Sequence, residues 1–146
     1  VKGELVCSKS YNIGTVRMLN DAVDFGEWKR LEADMRTLSE IYSGTNIIGS
    51  GGNINKLYRL AEKTDKKRQR ISVIVLKSLY EKLKLLSFEE RMQVFNLKPD
   101  RADVIVPASE IFLTIAEILH SEYIYVPVIG LADGIIDGLY AANRNR

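Results

Sequence analysis

The stretch "NIIGSGGNINKL", residues 46–57, decides how the chain is read. A short apolar run, Ile47-Ile48, ends in Gly49-Ser50-Gly51-Gly52, and a polar, helix-like stretch begins at Asn53. Strand, glycine turn and helix start together present backbone N–H groups to an anion. The same pattern also serves simply to turn a corner. The run is not a P-loop, since no Gly-Lys-Ser/Thr follows, and it lacks the G-x-G-x-x-G spacing of a dinucleotide fingerprint. Gly49, Ser50, Gly51, Gly52 and Asn53 are thus candidate phosphate ligands, with a plain turn as the other reading.

Working outward, "GELVCSKSYNIG" is β-rich and loosely alternating, which predicts a strand over residues 4–13. Thr15 to Asn20 reads as a short helical turn. From Gly26 to Tyr42, Trp28, Leu31, Met35, Leu38 and Tyr42 recur at helical spacing, and Ser43-Gly44 ends that helix. "TNIIGS" reads as a short buried strand and 52–62 as the next helix. The basic run "EKTDKKRQR" (62–70) reads as a connector, with Ser72 capping a helix whose stripe is Val73, Leu76, Leu79, Leu83 and Leu86. "SFEE" (87–90) is a capping box opening a shorter helix to about Asn96. After "KPDRAD" a long helix is expected with Val104, Ile105, Ala108, Ile111, Phe112, Ile115, Ala116 and Leu119 on one face, kinked by Pro107. "YIYVPV" (123–128) predicts a strand and "GLADGIIDGLYAA" (130–142) a last helix. The class is α/β, a mixed sheet with helices.

The bulk numbers narrow the functions. At 146 residues one domain with a real core is expected. Hydrophobic residues at 46% and charged residues at 27% exclude a disordered chain. A net charge of +2, from 21 basic and 19 acidic residues, gives no argument for nucleic-acid or membrane partners, and neither is expected. One cysteine, Cys7, excludes an intrachain disulfide and fits a cytoplasmic location. Cys7 reads as a small apolar strand residue rather than a reactive thiol. One His and one Cys build neither a catalytic triad nor a metal cluster.

Three stretches, taken in order, carry a resemblance. "SYNIGTVRML" (10–19), "IIGSGGNINKL" (47–57) and "KPDRADVIVPASEIF" (98–112), followed by "YIYVPVIGLADGII" (123–136), resemble the exopolyphosphatase / guanosine pentaphosphate phosphatase family over nearly the whole chain. The resemblance implies an actin-like fold: two ribonuclease-H-like domains facing a cleft, with this chain as the second domain, incomplete at its N-terminus. It implies Mg²⁺-dependent cleavage of a terminal phosphate from polyphosphate or guanosine pentaphosphate. The family's D-x-G-G-G-S loop and the domain bearing its general-base glutamate do not occur in the chain, so no catalytic residue is assigned here. With Val1 as first residue, a piece of a longer protein is expected, inactive alone and, through unpaired strand edges, prone to form homo-oligomers. A non-catalytic polyphosphate- or nucleotide-binding module, or a domain of another actin-like ATPase, remain as other readings. Turnover of polyphosphate, binding without turnover, or ATP hydrolysis would separate the three.

Two departures stand out. The family often has G-T-G-G-T or G-A-S-G-T where this chain has Gly49 to Asn53, and a basic-acidic pair where this chain has Ala132-Asp133. Arg101 and Asp133 are candidate cleft residues. Against them, Arg101 and Asp103 also fit a local ion pair and a helix start, and Asp133 with Asp137 also fits a helix dipole. Lys63, Lys66, Lys67, Arg68 and Arg70 read as a solvated connector rather than a polyanion track, since no aromatic residue interleaves with them. His120 suits a helix C-terminus.

Overall fold

The computed structural model describes residues 5–42 and 44–127. Local capping signals open three of the helices. Asp24 caps α2 (Phe25–Ile41) by accepting from the Gly26 N–H, and Ser72 caps α4 (Val73–Leu85) through the Val75 N–H. Both halves of the capping box open α5 (Phe88–Val94): the Glu90 N–H donates to Ser87 Oγ and the Ser87 N–H to Glu90 Oε2. A short α1 spans Thr15–Leu19, and α3 spans Gly52–Leu60.

The sheet is small and mixed. β1 (Ile47–Ile48), β2 (Arg70–Ser72) and β3 (Tyr123–Tyr125) lie in the order β1-β3-β2. β1 runs parallel to β3 with Ile47 opposite Ile124, and β2 runs antiparallel with Ile71 opposite Ile124. The α4 stripe buries Leu76, Leu79 and Leu83, which join Ile54 and Leu57 of α3, Ile71, Ile124 and Val126 in one core. The expected α/β class with a mixed sheet is what forms.

Four expectations are corrected. No strand forms over 5–13. A strand needs a partner ladder, and here the polar groups of the segment go to side chains of α2 instead. The Asn12 N–H donates to Glu27 Oε2 (2.7 Å), Arg30 donates to the Ser10 carbonyl (2.7 Å), and the Tyr11 hydroxyl donates to Asp34 (2.7 Å). Lys9 pairs with Asp34. The segment is a strap along α2, with Leu5, Val6 and Cys7 exposed rather than inside a sheet.

β1 is not buried: it lies at one end of the strand order, and Ile48 is 68% exposed. The basic connector hides a strand. Asp65 and Arg70 exchange backbone hydrogen bonds across a turn in which Gln69 has φ 49°, and Arg70 enters β2. Pro107 kinks nothing. The chain breaks at Asp103–Val104 between α6 (Pro99–Ala102) and α7 (Ile105–Ile118), placing Pro107 in the first turn of α7, where a missing N–H costs no intrahelical bond. The expected last helix lies outside the described residues.

Candidate functional site

β1 hands the chain to the glycine loop. The Gly49 N–H, one residue past the end of β1, donates to the carbonyl of Tyr125, the last paired residue of β3, at 2.8 Å. The loop therefore leaves the carboxyl end of β1, where open α/β sheets place ligands.

Each glycine has its own reason. A Cβ at Gly49, which is buried, would lie 2.9 Å from Ile54 Cγ1 and 3.3 Å from Ile124 Cγ2. Gly51 has φ 106° and ψ 171°, a region essentially reserved for glycine, while the space beside its Cα is open. A Cβ at Gly52 would lie 2.8 Å from Arg101 Nη2. So Gly49 serves packing, Gly51 the turn, and Gly52 the close approach of a cation.

The arrangement suits an anion. Helix α3 has nine residues and no side-chain cap, so its first-turn N–H groups point into the loop region without a side-chain partner. Arg101, carried by α6, donates from Nη1 to Asn53 Oδ1 at 2.8 Å. This places a guanidinium at the positive end of a helix, a like-charge juxtaposition that a bound anion relieves. Among the described residues the carboxylate nearest to it is that of Asp100, 3.9 Å away and 71% exposed, where water screens the pair. The local ion pair expected for Arg101 is present but long, and the closer contact is to the loop.

A pocket of about 270 Å³ opens beside the loop, lined by Gly14, Thr15, Ser50 to Asn53, and Ala108, Ile111 and Phe112 of α7. Larger depressions exist, one of about 490 Å³ between Leu60, Ile74 and Val94, but the glycine loop does not line them. Convergent donors, rather than volume, single out the smaller pocket. Thr15 is the residue that motif reading did not assign; its only sequence signal is the Gly14-Thr15 pair inside "SYNIGTVRML". Asp133 and Asp137 lie outside the described residues. Asp103 follows α6 as its C-cap, exposed.

The other charged candidates take structural places. Arg70 donates to Asp65 (3.1 Å) and lies over the Tyr123 ring, 3.8 Å from its centroid. The aromatic partners absent from its own stretch of sequence thus come from β3. Lys63, Lys66, Lys67 and Arg68 are exposed. His120 follows α7 with φ 50°, its N–H donating to the Glu117 carbonyl, as a helix end requires. Among the described residues no group of three or more His, Cys, Asp or Glu could hold a metal ion, and no helix is long and apolar enough to cross a membrane.

Comparison with known proteins gives the relationship. The chain is similar to the Aquifex aeolicus Ppx/GppA phosphatase, type II variant, at 26% identity and TM-score 0.62, over 85% of this chain and 46% of that one. A second structure of the Aquifex aeolicus family member matches at 25% identity and TM-score 0.64, over 90% of this chain and 47% of that one. An exopolyphosphatase from Cytophaga hutchinsonii shares the fold at TM-score 0.75 and 17% identity, over 97% of this chain and 52% of that one. The chain thus spans about half the length of these solved structures. No curated protein sequence matches it. The model of the Ppx/GppA phosphatase family matches residues 2–142, and the chain belongs to that family.

Proposed function

We propose that the chain forms one wall of the cleft of a phosphatase that hydrolyses the terminal phosphoanhydride of inorganic polyphosphate or guanosine pentaphosphate. In this reading it is a ribonuclease-H-like domain of an actin-like protein, and a second domain completes the cleft. The observation that carries it is the uncapped start of α3 at Gly51–Gly52 with Arg101 held on Asn53. Backbone N–H groups of the loop and the Asn53 amide receive phosphoryl oxygens there, Arg101 reaches them from its bond to Asn53, and Thr15, which lines the same pocket, offers a hydroxyl. Their contribution is positioning and charge stabilisation, the main terms in phosphoryl transfer. Asp133 is proposed to face the same cleft. Mg²⁺ is implied by the family resemblance; among the described residues no group of three or more His, Cys, Asp or Glu could hold it.

The test is Gly51→Val in the complete protein. A β-branched side chain at this φ should cost about 1–3 kcal/mol of stability, and it should weaken phosphate-chain binding or turnover by blocking close approach. Melting and kinetics are measured together. A variant that loses stability yet keeps its kcat and KM when folded makes the loop a turn only and removes the phosphate assignment. Under saturating polyphosphate, binding without phosphate release points instead to a sensing module.

A further inference from the structure

Arg101 reaches the loop from α6, a helix of only four residues. So short a helix does not hold itself, since one turn fixes several residues for very few hydrogen bonds. Its first residue is Pro99, and Lys98 before it provides no side-chain cap. Two things fix its carboxyl end. Ala102 is fully buried, and its carbonyl accepts from Arg91 Nη1 at 3.2 Å.

Arg91 sits on α5, and its guanidinium bridges two helix ends. While Nη1 bonds Ala102, Nε donates to the Leu83 carbonyl in the last turn of α4 at 2.8 Å. The Leu83 carbonyl also accepts from the Leu86 N–H at 3.4 Å, and carbonyls at a helix end keep acceptor capacity for a side chain. A planar guanidinium reaches two divergent acceptors with fixed geometry, which a flexible ammonium does not do. One side chain therefore ties α6 to α4, and α4 is anchored in the core by Leu76, Leu79 and Leu83. Arg101 is the residue immediately before the tied carbonyl, and its guanidinium occupies the space a Gly52 Cβ would need.

We propose that Arg91 is a positioning residue for the anion site, fixing the carboxyl end of α6 and through it the placement of Arg101 over Gly52 and Asn53. The proposal rests on the phosphate-loop reading given above. It makes Arg91 matter to ligand binding only while Arg101 is present. A merely structural arginine would lower stability, and its effect on binding would be the same with or without Arg101.

The experiment is a double-mutant cycle in the complete protein, read as the Kd for inorganic tripolyphosphate by calorimetry, with melting measured on every variant. Arg101→Met should weaken binding about tenfold, the scale of one charge-assisted hydrogen bond. Arg91→Met should weaken it about fivefold alone and less than twofold in the Arg101→Met background, although it lowers the melting temperature similarly in both. Arg91→Lys, which keeps the charge and loses the two-point geometry, should fall between wild type and Arg91→Met. It carries the cycle if Arg91→Met does not fold. Equal loss of affinity in both backgrounds, or unchanged affinity in the Arg91 variants while Arg101→Met still weakens binding, overturns the positioning role and leaves the phosphate site standing. If Arg101→Met and Gly51→Val both bind tripolyphosphate as wild type does, the phosphate reading falls, and this role falls with it.

Discussion

At the residue scale the three glycines separate packing, backbone conformation and ligand approach, and each separation is measurable. Gly49→Ala should destabilise the protein by about 1–3 kcal/mol through overpacking against Ile54 and Ile124, with tripolyphosphate affinity unchanged in the folded protein. Gly52→Ala should do the reverse. The atoms its Cβ meets are the far end of Arg101, a long side chain that swings away cheaply, so melting should barely change while affinity falls toward that of Arg101→Met. Calorimetry with thermal melting on both variants checks this. Matching losses of stability and affinity at both positions would mean that the loop acts as one structural unit. The glycine run itself was plain in the sequence, and so was the choice between anion loop and turn. The division of labour was not, because it depends on Ile124 and Arg101, which are far from the loop in sequence and near it only in the fold.

At the element scale, what was legible is what is local. The capping box at Ser87 and Glu90 and the cap at Ser72 involve residues three positions apart, and both form as read. Ser87→Ala should cost about 1 kcal/mol, seen as a lower melting temperature with no change in anion binding. Strands were the weak point because a ladder needs a distant partner. Residues 5–13 alternate suitably yet attach to α2, whereas β2 carries one buried residue, Ile71, in a basic run and forms because β3 lies beside it. The strap has a pH signature. Hydrogen bonds from Lys9 and then Tyr11 hold the Asp34 carboxyl below its usual range, and Arg30 does the same for Glu27. Their stabilisation is complete above the unfolded carboxylate values of about 4 and is lost as pH falls through the lower folded ones. Burial, and then the bond to Asp34, push the Tyr11 phenol from 10.0 to about 12. That contribution is present below pH 10 and lost as pH rises through about 12. Phenolate absorbance should therefore show a late step that Tyr11→Phe removes. If Tyr11→Phe instead removes a step near 10, the strap is not docked.

At the scale of the whole molecule, the described residues bring the glycine loop, Asn53 and Arg101 together, and the proposed reading makes them one wall of a cleft. Among the described residues that line the loop pocket none carries a carboxylate or an imidazole, the groups that act as general bases. The chain also covers only about half of each solved relative. Among the described residues the outer edge of β1 has no partner strand, and Ile48 on it is exposed, so the 146-residue chain should self-associate in sedimentation runs as concentration rises. The same chain, folded by circular dichroism, should bind tripolyphosphate yet release no phosphate from polyphosphate above background, with or without Mg²⁺. Binding should need only the loop, Asn53 and Arg101, and so should be weakened by Arg101→Met. Turnover should need a base and opposing donors from the rest of the cleft, and groups that act as a unit leave little activity when several are missing. Phosphate release by this chain that Gly51→Val abolishes would show a complete catalytic set within these residues, and the one-wall reading would be wrong.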